Sequence, residues 1–309
     1  MVRREIAPGE RHSCEAGSPR IIRYQAREQD AGKRVESVLL GPLQISRGLL
    51  SRLKRREDGI CVNGQRAYAT RILQAGDLVT AQVGDEAPPR RLEPVQMELT
   101  VLYEDEDFLL LDKPANIPVH PTRDPQERNL EQGLLAYLPE GVYPHFVSRL
   151  DKGTTGLMLT AKNGYAHELM KRRLHTDAFY REYLAVAEGI VAPPTGTVDA
   201  PIGLGDGSAY RHCVRTDGAS SLTVYETLAT GNGRTLLRLA PHTGRTHQLR
   251  VHMAYLGFPL TGDWLYGQRC GVIDRPALHS HRLIFIHPLS GERIERESPL
   301  PPDMRALLI

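Results

Sequence analysis

The sequence is poor in cysteine, in long apolar runs and in net charge of either sign. Its four cysteines, Cys14, Cys61, Cys213 and Cys270, are widely spaced with no C-x-x-C pair, which argues against a disulfide framework and a structural zinc site. They read as reduced thiols. The longest apolar runs are pieces such as Phe108 to Leu111, far below the roughly 20 residues that cross a bilayer. Paired arginines at Arg3 and Arg4 are followed by no apolar stretch and no small-residue cleavage site, so the expectation is a cytoplasmic protein without membrane contact. Lys and Arg number 39 against 37 Asp and Glu, a net +2; an attractive field for an anionic partner must therefore be local. No H-E-x-x-H occurs, and His247 and His252 are five apart where one helical face wants three or four. No metal is expected.

What is present suits two ordinary globular domains: 309 residues, 40% hydrophobic and 25% charged, with 28 glycines and 22 prolines spread along the chain. Residues 1–19 show no periodicity and are expected to be a flexible tail. Between Leu43 and Arg56, LQISRGLLSRLKRR carries Arg47, Arg52, Lys54, Arg55 and Arg56 and no acidic residue. Ile45, Leu49, Leu50 and Leu53 recur at helical spacing and Ser46 can cap the start, so a helix should dock its apolar stripe and present charge on the other side. Ile60 to Val62 reads as a strand, Asn63-Gly64 as a tight turn, and Gly76-Asp77 as a turn into a strand from Leu78 to Val83. A small basic module over 20–84 results. The run GDEAPPRRLEP, from Gly84 to Pro94, is rich in Pro and charge, which places a linker over 85–94 and a second domain over 95–309.

In that second domain, Leu99 to Tyr103 and Phe108 to Leu111 read as a hairpin. Asn129 to Leu138 and Ala166 to Leu174 read as helices, and Arg181 to Ala187, Leu222 to Leu228 and Thr235 to Leu239 as strands. Helices punctuate many strands without a strict β-α-β rhythm, which predicts an α+β fold on a mixed, largely antiparallel sheet.

Three segments concentrate chemistry. In VSRLDKGTTGLMLTAKN, Asp151 stands between Arg149 and Lys152 on a loop entering an apolar strand; taken alone, it reads as a turn aspartate. In APHTGRTHQLRVHMAYLGFPLTGDWLYG, His242, Arg245, His247, Arg250 and His252 crowd eleven positions between apolar stretches, which suggests a buried Arg–carboxylate pair. In FYREYLAVAEG, Tyr183 follows Glu182 in a strand pattern.

Together these segments, with LHSHRLIFIHPLSGE near the end and LYEDEDFLLLDKP in weaker support, resemble the RluA-type pseudouridine synthases over about Leu99 to Met304. The stretch SRGLLSRLKRR, VNGQ and LQAGDLV resembles the alpha-L RNA-binding module of a ribosomal protein and several RNA-modifying enzymes. The first resemblance implies an enzyme that isomerises uridine in RNA to pseudouridine with no cofactor. It implies Asp151 as the catalytic carboxylate, Arg149 as an aid to base extrusion, Tyr183 as the aromatic stacked on uracil, and Arg250, preceded by Leu249, as the partner of the aspartate. Arg245, His247 and Leu249, in the same motif, are expected at the substrate. The second implies that Arg47, Arg52, Lys54, Arg55 and Arg56 hold RNA phosphates.

That chemistry suits these residue types. Detaching uracil from ribose passes through an oxocarbenium-like state that a carboxylate can stabilise or trap, and a guanidinium beside it favours the ionised form. Attack on the ribose, attack on the base and elimination to a glycal all stay open. The nucleotide must leave the stack first. Two departures from the family pattern stand out: Ser148 replaces a usual His, and Thr154-Thr155-Gly156 replaces Thr-Ser-Gly. Ribosomal RNA is the first expected substrate and transfer RNA the second, with a monomer as the acting species. The competing expectation is a non-catalytic RNA-binding or ribosome-assembly factor, which would not need Asp151, Tyr183 and Arg250 together.

Overall fold

The computed structural model describes residues 20–85 and 92–309; the expected tail, 1–19, and residues 86–91 of the expected linker lie outside them. The first unit opens with β1 (Ile21–Gln25), α1 (Val35–Leu40) and α2 (Arg47–Leu53). It closes with β2 (Ile60–Val62), β3 (Gln65–Arg66) and β4 (Leu78–Gln82), in an antiparallel sheet of order β1-β4-β2-β3. Ser46 caps α2 by accepting a hydrogen bond from the Leu49 amide at 3.3 Å, and Leu49, Leu50 and Leu53 bury the expected stripe against this sheet. Asn63, at φ +53°, and Gly64, at +76°, make the β2–β3 turn. The helix is shorter than the basic run, because Lys54 ends it and Arg55 and Arg56 lie in the turn beyond. β1 and α1 carry too few residues to register as periodic patterns.

The second unit begins with the hairpin of β5 (Thr100–Glu104) and β6 (Phe108–Lys113), then α3 (Leu130–Tyr137), β7 (His145–Phe146), β8 (Thr155–Ala161) and α4 (Gly164–Lys171). Four more strands follow: β9 (Phe179–Glu188), β10 (Thr195–Asp199), β11 (Ile202–Leu204) and β12 (His212–Val214). After β13 (Leu222–Gly231) and β14 (Arg234–Pro241) come α5 (Gln248–Tyr255), β15 (Leu278–Ile286), β16 (Arg293–Glu297) and the short α6 (Pro302–Arg305). One sheet runs β10-β13-β14-β9-β15-β8-β6-β5, with β16 on β15 and β7 on β8; β11 and β12 form a separate hairpin. Among the described residues only the β15–β8 pair is parallel. The fold is thus α+β on a mixed, largely antiparallel sheet.

Alternation along β6 explains why the sheet is covered on both faces. Leu109 and Leu111 join one apolar cluster with Met158, Leu237 and Leu249, while Phe108 and Leu110 join another with Leu157, Leu159 and Phe285. The first unit packs on α4: Tyr165 and Leu169 enter its core, and the Tyr165 hydroxyl donates to the Leu43 carbonyl at 2.7 Å. Arg20 adds a bidentate pair with Asp107 at 2.9 and 2.8 Å. Among the described residues no helix is long and apolar enough to cross a membrane.

Candidate active site

The loop between β7 and β8 carries Asp151, on the face of the large sheet that buries Leu150 and Leu249. Its side chain keeps 31% of its surface exposed, enough to meet a substrate. Chain geometry forces the turn into β8. Gly156 has φ +103° and pairs with Ser280 of β15, so close that a Cβ there would stand 2.2 Å from the Ser280 carbonyl oxygen. The preceding Thr155 hydroxyl meets His279 Nδ1 at 2.8 Å, and His279 Nε2 is 3.2 Å from the Ser298 carbonyl. The hydroxyl kept by Thr155 in place of Ser therefore has a partner.

Three buried cations hold this loop. Arg250, on α5, donates from Nη1 to Asp151 Oδ2 at 3.0 Å. Its Nε and Nη2 grip Asp263 bidentately at 2.7 and 2.8 Å, and Asp263 also accepts from the Leu265 amide at 3.1 Å. Arg250 is 5% exposed and Asp263 fully buried. Burial opposes the guanidinium's charge, yet the Asp263 and Asp151 carboxylates outweigh it and raise its pKa above the usual value. Lys113, 1% exposed at the end of β6, donates to the carbonyls of Pro114, Ile117 and Lys152 at 2.8, 2.9 and 3.0 Å. Burial pushes its amine down to about 7, with Asp151 opposing that fall. The three acceptors match the three donors of the ammonium form, so the geometry favours the charged state. Arg275 reaches the Gly153 carbonyl at 3.3 Å and is clamped by Asp303 of α6 at 2.9 and 3.0 Å.

His247, the residue before α5, has φ +56°, which turns its ring back toward the carboxylate. Its Nε2 is 3.8 Å from Asp151 Oδ2 and its Nδ1 is 2.8 Å from the Tyr266 hydroxyl. That hydroxyl accepts from the His212 amide at 3.0 Å, leaving its own hydrogen for Nδ1. Burial lowers the His247 pKa, Arg250 and His212 lower it further, and Asp151 only partly offsets them; the ring is neutral at neutral pH.

The other expected site residues divide. Tyr183, on β9 opposite Leu239 and Ser280, is 6% exposed in the apolar cluster that holds Leu150 and Leu249. Arg149 is exposed and, among the described residues, has no hydrogen bond or ion pair. Arg245 is exposed, with its Nε donating to the Ser220 carbonyl at 3.1 Å. In the first unit Arg47, Arg52, Lys54 and Arg55 are exposed. Arg56 departs from the expectation of a solvated charge: its Nη1 donates to the Gln82 and Gly84 carbonyls at 3.0 and 2.9 Å, because the turn after α2 points it back at the end of β4.

Sequence reasoning missed Asp263, Lys113 and Arg275. Asp263 and Lys113 lie inside quoted motifs, TGD and LDKP, but nothing in their spacing ties either to Asp151. An anchored carboxylate beside an apolar wall, with its loop fixed from below, is an arrangement that can stabilise a developing oxocarbenium charge without moving.

Comparison with known proteins points to pseudouridine synthases. The family model for RNA pseudouridylate synthases matches residues 107–255. The RNA pseudouridine synthase YjbO of Bacillus subtilis is 38% identical over 271 residues, 87% of this chain and 96% of the relative. Ribosomal large subunit pseudouridine synthase D of Pseudomonas aeruginosa is 36% identical over 270 residues, 82% of this chain and 84% of the relative. Among solved structures, human RNA pseudouridylate synthase domain containing 1 matches with a TM-score of 0.57 at 28% identity, covering 70% of this chain and 89% of that one. With more than a third of its residues identical to the two bacterial relatives over most of its length, the chain is an RNA-modifying enzyme that belongs to the RluA family of pseudouridine synthases.

Proposed function

We propose that the enzyme converts uridines of large-subunit ribosomal RNA to pseudouridine in the cytoplasm, acting as a monomer with Asp151 as the catalytic carboxylate. The observation that carries this reading is the Asp263–Arg250–Asp151 chain, which aims one carboxylate oxygen from a buried bidentate anchor. Such an anchor makes sense where a reacting group must be positioned to a fraction of an ångström. The substrate class follows the relatives named for the large ribosomal subunit.

The reaction balances within the substrate. The bond from ribose C1′ to uracil N1 breaks, a bond from C1′ to C5 forms, C5 loses its hydrogen and N1 gains a proton. Asp151 stabilises or traps the positive C1′ while the base is detached. Tyr183 and the apolar wall of Leu150 and Leu249 hold the loose uracil and keep out the water that would hydrolyse the intermediate. Arg149, exposed and without a partner among the described residues, takes the place vacated by the flipped base. Arg245 and His247 line the entry, and the basic unit over 20–84 holds RNA by its phosphates through Arg47, Arg52, Lys54 and Arg55.

The test is pseudouridine mapping of total RNA from cells lacking the protein, complemented with wild type or with Asp151→Asn. Loss of one or a few large-subunit sites, restored by wild type alone, is expected. Sites lost from transfer RNA instead would reassign the substrate, and equal restoration by Asp151→Asn would remove Asp151 from its role.

A further inference from the structure

The first unit presents one aromatic ring to solvent with no evident structural task. Tyr68, between β3 and β4, is 80% exposed, more than any other large apolar or aromatic side chain of the described residues except the terminal Ile309. Its backbone is nonetheless fixed. The flanking Ala67 and Ala69 are buried, the Ala67 amide donates to the Ile60 carbonyl at 2.9 Å, the Tyr68 carbonyl accepts from Arg71 at 2.9 Å, and the Ala69 carbonyl accepts from Glu36 at 2.9 Å. A free ring on a rigid mount is poorly explained by packing, since the core of Leu53, Ile60, Val62 and Val79 closes without it.

Beside the ring lies a cleft of about 190 Å³, several times the roughly 30 Å³ share of one water. Its floor is apolar, with Leu53, Ile60 and Ala69, and its rim is cationic, with Lys54 and Arg66 exposed and the anchored Arg56 behind them. Lys54 shares its charge with Glu36 at 3.6 Å. An aromatic face, an apolar floor and flanking cations are the parts that hold a stacked base and its phosphate.

We infer that this cleft is a second RNA site, in which one unpaired nucleotide stacks its base on Tyr68 over the Leu53–Ile60 floor while Lys54 and Arg66 take its phosphate. The unit would then favour RNA with an unstacked nucleotide at a fixed distance from the target uridine, beyond merely attracting phosphates. This rests on the reading that residues 20–84 hold RNA.

The experiment measures Kd for a transcript of large-subunit ribosomal RNA across a salt series, using the full chain. Stacking predicts that Tyr68→Ala binds about tenfold more weakly at every salt concentration, with an unchanged slope of log Kd on log salt. Tyr68→Phe should stay within about twofold of wild type, because the ring carries the effect. Lys54→Ala with Arg66→Ala should flatten the slope. Tyr68→Ala binding like wild type, or Tyr68→Phe weakened as much as Tyr68→Ala, overturns the stacking site, as does a Tyr68→Ala protein that melts well below wild type. A combined Arg47→Ala, Arg52→Ala and Arg55→Ala variant separates the two readings: wild-type affinity there removes RNA holding from the unit altogether, whereas weakened affinity with an unaffected Tyr68→Ala removes only the nucleotide site.

Discussion

Positive charge is used in opposite ways in the two units. Around Asp151 the cations Arg250, Lys113 and Arg275 are 5% exposed or less, and each is matched with carboxylates or carbonyls. On the basic helix and the turn after it, Arg47, Arg52 and Arg55 are exposed and, among the described residues, make no ion pair. Burying a charge costs several kcal/mol of desolvation, so it persists only where its geometry is fully satisfied. That cost is repaid where a reacting group must be aimed. An exposed guanidinium keeps its hydration until a phosphate displaces counterions around it, and so suits a long, irregular anion whose path varies. On the proposed function, one region is built for a fixed distance and the other for a field.

Breaking the buried set should have the largest effects. Arg250→Ala leaves Asp263 buried without its partner, for an expected loss of about 3–5 kcal/mol in urea unfolding, together with loss of isomerisation. A well-folded and fully active variant would contradict the anchoring role. Lys113→Met strands three carbonyls beneath the loop and should cost about 1–3 kcal/mol while lowering kcat more than it raises KM. If kcat stays at the wild-type value, the loop does not need this support.

Acid should separate the two units next. Burial is the first cause lowering the pKa of His167, His247, His252 and His279, whereas residues 20–85 contain no histidine. Between each folded value and about 6.5 the unfolded chain binds more protons, so these groups contribute stability above 6.5 that is lost as pH falls. Hydrogen exchange at about pH 5.5 against pH 7.5 should show protection falling around the large sheet and holding in the first unit. Uniform loss in both would contradict this division. The smallest effect belongs to a single exposed charge. Arg52→Ala should reduce the salt slope of RNA binding by about 0.7–0.9 and leave the melting temperature unchanged, as calorimetry can check.

The Asp151–Arg250 side of this contrast was more legible in the sequence than its supports. Dense cations in TGRTHQLRVH beside apolar stretches pointed to a buried Arg–carboxylate pair, and Arg250 indeed meets Asp151 across 99 positions of chain. That its firmer partner is Asp263 follows from a turn packed under α5, which no periodicity encodes. Lys113 stands in the sequence only as one letter of LYEDEDFLLLDKP, because its role lies in three backbone carbonyls that carry no side-chain signature. Long strands such as β9, β13 and β14 showed their cores and hid their ends, whereas β1, β11, β12 and α1, with three to six residues each, are set by pairing partners far along the chain. Arg56 looked like its basic neighbours, and only the carbonyls at the end of β4 distinguish it.

The most direct test uses the hydrogen that the isomerisation must release. A transcript of large-subunit ribosomal RNA labelled with tritium at uridine C5 would be mixed with excess purified enzyme, and tritium release followed in a single turnover. The expected result is stoichiometric release by wild type and a rate at least about a thousandfold lower for Asp151→Asn, with Kd for the transcript unchanged. Release by Asp151→Asn at the wild-type rate would contradict the central claim that the anchored carboxylate carries the chemistry.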